Sequence, residues 1–166
     1  MTLVLGGARS GKSEVAERLA ARAGGPVTYL ATYVAPAGAA DAGMDARVEA
    51  HRHRRPPGWA TVEVGAGLPA ALEAVEGTAL VDSLGTWVAG HEGFSVDSDA
   101  LCAALRRRPG ATVVVSEEVG MGVHPSTGSG RLFRDALGSL NTAVATVADQ
   151  VMLVVAGRVL TLEPPA

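Results

Sequence analysis

The sequence predicts an α/β fold with a mostly parallel sheet. Three observations predict it. Short apolar runs alternate with segments whose apolar residues recur at helical spacing. The connections between them are short, as in sheets built from crossover units. A glycine-rich stretch, Gly6-Gly7-Ala8-Arg9-Ser10-Gly11-Lys12-Ser13, joins the first apolar run to the first amphipathic segment. Nearly half of the 166 residues are apolar (48%) but only 4% are aromatic, so the core is expected to be built from Val, Leu and Ala. This length fits one domain, residues 1–166, with a sizeable core.

Residues 1–5 read as a strand, and residues 14–22 as a helix that ends at Gly24-Gly25. Residues 27–32 form a second buried strand. Residues 34–43 are rich in Ala, Gly and Pro and are expected to be a mobile loop. A helix over about 44–54 is closed by Pro56-Pro57. Then come a short strand at 61–64 and a short helix at 68–75. The apolar run Ala79-Leu80-Val81-Asp82 is a strand ending in a carboxylate. A helix starts within 84–88 and another lies within 96–108. The strand 111–116 leads through a glycine-rich loop, 119–130, into a helix over about 131–148. Two strands, 150–155 and 159–162, close the chain as a β-hairpin turned at Ala156-Gly157-Arg158.

The formal charge of −3 argues against a nucleic-acid partner, and no apolar run approaches the roughly 18–20 residues needed to span a bilayer. The single cysteine, Cys102, excludes an intrachain disulfide. With the first strand beginning at once, no signal peptide is expected and the reducing cytoplasm is the expected compartment.

Gly6, Gly11, Lys12 and Ser13 satisfy G-x-x-x-x-G-K-[ST] in a strand–loop–helix context. Glycines let backbone N–H groups converge on phosphate oxygens, and the helix N-terminus adds a favourable dipole. In this pattern Lys12 reaches the β- and γ-phosphates and the Ser13 hydroxyl serves Mg²⁺. The chain is therefore expected to bind a nucleoside triphosphate. Phosphoryl transfer also needs an acid to hold the metal. Asp82, at the end of A-L-V-D, is the leading candidate, with Glu117 and Glu118 after V-V-V-S as alternatives. Carboxyl ends of parallel strands line the ligand crevice, so both strands point the right way.

The second unusual stretch is Arg47-Val48-Glu49-Ala50-His51-Arg52-His53-Arg54-Arg55. On a helix, Arg47 and Arg55 flank His51 one turn away on either side. That positive field suits a triphosphate and favours the neutral, nucleophilic imidazole. The plain alternative is a solvated basic helix face. Zinc ligation is disfavoured, because His51 and His53 are two apart with no cysteine or acid at ligand spacing. His91 and His124 read as isolated surface or loop residues.

Several segments together resemble one family, the bifunctional adenosylcobinamide kinase/adenosylcobinamide-phosphate guanylyltransferases of cobalamin biosynthesis. They are G-G-A-R-S-G-K-S at 6–13, Y-L-A-T at 29–32, R-V-E-A-H at 47–51 and R-R-P-P-G-W-A-T-V-E at 54–63. L-V-D-S-L-G-T-W-V at 80–88, E-V-G-M-G-V-H-P at 118–125 and R-L-F-R-D-A-L-G-S-L-N at 131–141 follow in family order. The resemblance implies a P-loop NTPase (RecA-like) three-layer fold. It implies two activities: phosphorylation of adenosylcobinamide by ATP or GTP, then GMP transfer from GTP through a GMP–histidine intermediate. By the family pattern His51 is the nucleophile, while Lys12 serves catalysis. Nucleotide contacts carried over are Gly6, Gly7, Ala8, Arg9, Ser10, Gly11, Lys12, Ser13, Ala31, Thr32, Tyr33, Arg52, His53, Arg54, Arg55, Glu63 and Asp82. Ser13 and Asp82 are the implied Mg²⁺ ligands. The E-V-G-M-G loop, Arg131 and Arg134 are implied corrinoid or phosphate contacts, and a homotrimer is the implied assembly.

Two departures stand out. Where the family commonly has Asn before E-V-G, this chain has Glu117, and the 34–43 segment is longer and richer in Gly and Ala than usual. Two further readings remain open at this point: a P-loop small-molecule kinase without guanylyl transfer, and a non-catalytic nucleotide-binding module.

Overall fold

Strand side chains alternate between two faces, and here both faces are covered, which is why the middle positions of the central strands, residues 3–5, 79–81 and 113–115, are all apolar. The computed structural model describes residues 1–33 and 56–164. Within them run β1 (Thr2–Gly6), α1 (Lys12–Arg22), β2 (Val27–Ala31), β3 (Ala60–Glu63), α2 (Leu68–Ala74) and β4 (Thr78–Asp82). Then follow α3 (Leu84–Ala89), α4 (Ser98–Arg107), β5 (Thr112–Glu117), α5 (Gly128–Ala145), β6 (Gln150–Val155) and β7 (Arg158–Leu162). The described strands form one seven-stranded sheet in the order β3-β2-β4-β5-β1-β6-β7. Every neighbouring pair is parallel except β6 and β7, which make the expected antiparallel hairpin. The expected loop at 34–43 and helix at 44–54 lie outside the described residues.

The core divides into two layers. Val4, Leu80, Val113 and Val115 face Val15, Ala16 and Ala20 of α1. Leu3, Leu5, Ala79, Val81 and Val114 face the opposite side, where they pack with α2, α3, α4 and α5. Leu3, Val4, Leu80 and Val81 are at most 1% exposed, which makes their burial the main driving force for the sheet. Helices on both faces of a parallel sheet make the three-layer P-loop NTPase architecture.

Boundaries moved where capping chemistry decided them. α5 begins at Gly128, three residues before the expected start, because the Thr127 side chain accepts from the Gly130 N–H and caps the helix. It ends at Ala145, with Thr146 as its C-cap. α3 is set by a reciprocal capping box between Ser83 and Thr86, which allows a helix of only six residues. Arg108 is a structural residue. Its guanidinium donates to the carbonyls of Leu72, Val75 and Gly77, tying the end of α2 to the strand that follows. Cys102 is buried in α4, and burial pushes its thiol up. His91 lies edge-on to Trp87 with Nδ1 against the Trp87 carbonyl, so it is a packed residue, while His124 is exposed.

Candidate nucleotide-phosphate site

The candidate site collects at the carboxyl edge of the sheet, because parallel strands end on one side and each turn there leads into a helix or loop. Gly6 closes β1 and Lys12 opens α1, so the residues between them form the glycine-rich loop. Gly11 has φ 92°, a left-handed conformation that a side chain would strain, and it serves as the N-cap of α1. Ser10 is buried, and its Oγ, folded back over Gly6, has no hydrogen-bond partner among the described residues. The loop is braced from the hairpin: the Gly157 N–H donates to the Ser10 carbonyl at 2.8 Å. Ala8 and Arg9 stay exposed at the loop's crest.

Lys12 does not extend into solvent. Its side chain is 12% exposed, and Nζ lies 3.4 Å from the Gly7 carbonyl and 3.5 Å from Glu117 Oε1. The other oxygen, Glu117 Oε2, accepts from Ser83 Oγ and from the Gly85 N–H, each at 3.0 Å. A Cβ at Gly85 would come within 2.0 Å of that oxygen, so only glycine allows this approach. Glu117 sits beside Gly6 in register, and its carbonyl accepts from Asn141 Nδ2 of α5 at 3.0 Å. The side-chain amide oxygen of Asn141 in turn takes the Ser116 hydroxyl at 2.6 Å.

Asp82 has a different environment. It ends β4, separated from β1 by β5, and its Oδ2 accepts from the Tyr29 hydroxyl at 2.9 Å. Register places Ala31 beside Asp82 on one side and beside Glu63 on the other, so these three residues line one row of strand ends. Thr32 follows, only 3% exposed. Its hydroxyl donates to the Ser83 carbonyl at 2.7 Å and accepts from the Ser83 N–H at 2.9 Å. That side chain braces β2 against the start of α3. Tyr33 is half-buried at the end of the described stretch, and Glu63 is exposed. His51, Arg52, His53, Arg54 and Arg55 lie outside the described residues.

Sequence reasoning placed Glu117 among the possible acids but missed its contacts with Lys12, Ser83 and Gly85. It also missed the Thr32–Ser83–Thr86 hydroxyl cluster. Nothing local signals either, since each joins residues more than thirty positions apart, apart from Ser83 and Thr86.

The donor set fits a hard cation. Ser13 in the first turn of α1 and Asp82 offer a hydroxyl and a carboxylate, the oxygen ligands Mg²⁺ takes alongside phosphate and water. Among the described residues no group of three or more His, Cys, Asp or Glu could hold a metal.

Comparison with known proteins bears on this edge and on the whole chain. The family model described as cobinamide kinase / cobinamide phosphate guanyltransferase matches residues 2–162. The chain is 40% identical to the bifunctional adenosylcobalamin biosynthesis protein CobP of Pseudomonas aeruginosa, over 97% of this chain and 96% of that protein. It is 35% identical to the bifunctional adenosylcobalamin biosynthesis protein CobU of Escherichia coli, over 95% and 96% of the two chains. The like-named protein of Salmonella typhimurium matches to the same extent, 35% over 95% and 96%. A phosphate-loop geometry at the end of β1 and a match along nearly the whole length agree: the chain belongs to the cobinamide kinase / cobinamide phosphate guanyltransferase family.

Proposed function

We propose that this chain, as a single domain, carries out both reactions on adenosylcobinamide. In the first, the substrate hydroxyl oxygen attacks the γ-phosphorus of ATP or GTP. The bond from that phosphorus to the β-bridging oxygen breaks, the nucleoside diphosphate leaves and the hydroxyl proton is released. In the second, a ring nitrogen of His51 attacks the α-phosphorus of GTP and pyrophosphate leaves. The phosphate oxygen of adenosylcobinamide phosphate then displaces the histidine, giving adenosylcobinamide-GDP. Two steps at one phosphorus split a difficult transfer into two easier ones.

The observation that carries this reading is the loop from Gly6 to Ser13, with Lys12 held at a strand-end carboxylate, in a chain whose family match runs from residue 2 to 162. The loop's backbone N–H groups and Lys12 would hold the triphosphate, with Arg52, His53, Arg54 and Arg55 offsetting its charge. Ala31, Thr32, Tyr33 and Glu63 would contact the nucleotide from the neighbouring strand ends. Mg²⁺, held by Ser13 and Asp82, would supply charge neutralisation on the phosphates. A cytoplasmic homotrimer is the proposed form of the protein.

The test is incubation with Mg²⁺ and GTP labelled with ³²P at the α-phosphate. Acid-labile, alkali-stable label on wild-type protein, lost in His51→Ala, is the expected result. Wild-type protein that stays unlabelled while passing γ-phosphate to adenosylcobinamide would leave the kinase alone. Lys12→Ala is expected to lose nucleotide binding, because the loop's only lysine supplies its mobile charge.

A further inference from the structure

Glu117 is the residue that the two-reaction scheme leaves without a task. Its carboxylate is fixed from several directions. Oε2 is taken by Ser83 Oγ and the Gly85 N–H, and its main chain is taken by Asn141 and by pairing with β1. Only Oε1 faces Lys12, at 3.5 Å. The two partners therefore differ in freedom. Glu117 is pinned to α3 and α5, whereas Lys12 has a long stem and, among the described residues, the Gly7 carbonyl as its one other polar contact.

We propose that Glu117 is a specificity-determining residue of the nucleotide site, a fixed counter-ion that makes the loop select metal-complexed nucleotide over the free form. This rests on the triphosphate site proposed above. When phosphates enter, Lys12 turns from Glu117 to them, and the carboxylate stays behind because its anchors do not move with the lysine. A negative charge then stands beside the loop, next in register to Gly6. It repels the phosphates. A metal-free triphosphate carries the greater negative charge and feels this most. The Mg²⁺ complex is partly neutralised and feels it less.

The experiment uses the full-length protein and a non-cleavable α,β-methylene analogue of GTP, with binding measured by calorimetry in excess EDTA and in Mg²⁺. Glu117→Gln keeps an oxygen for Ser83 and Gly85 while removing the charge. It is expected to tighten metal-free binding about tenfold, the size of one partly screened charge, and Mg²⁺-bound binding by much less. The advantage conferred by Mg²⁺ then shrinks. Equal changes in both buffers, weaker binding in both or no change would each overturn the proposal. Weaker binding in both buffers is what a purely structural role for Glu117 produces. Wild-type protein that binds the analogue in neither buffer would sink the nucleotide site itself. Thermal melting of the variant checks its folding. Glu117→Asn makes the same neutralisation if the glutamine variant does not fold.

Discussion

Two neighbouring strand ends carry acids with different surroundings. β4 ends in Asp82 and β5 in Glu117, and the strands lie side by side in parallel. Asp82 meets a neutral donor, the Tyr29 hydroxyl. Glu117 meets a hydroxyl, a backbone N–H and the Lys12 ammonium. The difference follows from topology. β5 is hydrogen-bonded directly to β1, so its last residue falls beside the start of the glycine-rich loop, while β4 is one strand further away. The acid beside the glycine-rich loop therefore serves as the partner of Lys12, whereas the acid one strand further away takes the Tyr29 hydroxyl. The acid that looks like a metal ligand in sequence is thus not the one closest to the lysine.

The comparison breaks most directly at Asp82. If this residue holds the metal as proposed, Asp82→Asn is expected to lower the rate of phosphate transfer to adenosylcobinamide by about 10²–10³, the cost of removing one preorganised electrostatic stabiliser. Single-turnover kinetics in saturating Mg²⁺ would read it, and a near-wild-type rate would transfer the metal role to another acid.

A smaller effect is expected from Gly85→Ala. Its new methyl group collides with Glu117 Oε2, so either the carboxylate leaves its anchors or α3 shifts. Overpacking of this kind typically costs about 1–3 kcal/mol, which urea denaturation would measure as a lower midpoint at unchanged slope. A wild-type midpoint would show that the carboxylate is held less firmly than its contacts imply.

The smallest change is Tyr29→Phe, which removes one hydrogen bond from Asp82 and leaves the ring in the α1-side core. A loss of about 0.5–1.5 kcal/mol in stability is expected. The same denaturation assay checks it, and a loss well above that range would mean that Asp82 depends on Tyr29 for more than one bond.

Much of the fold was legible because its signals are local. The alternation of apolar runs and helical spacing located the strands, and the turn at Ala156-Gly157 adopts the positive φ values of 48° and 74° that a tight hairpin needs. Boundaries slipped at α5, where Thr127 caps the helix three residues earlier than periodicity suggested. The glycine-rich loop was legible too, since its residues are consecutive. The bracing of that loop by Gly157 was not, for its partner lies almost the whole chain away.

By itself, the sequence determined the α/β class, the loop from Gly6 to Ser13 and the family, because each depends on residue types at short, set spacings. Only the tertiary structure decided which acid faces Lys12, that Gly85 is required for that approach, and that the Thr32 hydroxyl is spent on Ser83. The physical reason is the order of the strands. Hydrogen-bonded neighbours in this sheet are mostly distant in sequence, so contacts at the carboxyl edge are set by pairing that no local pattern encodes.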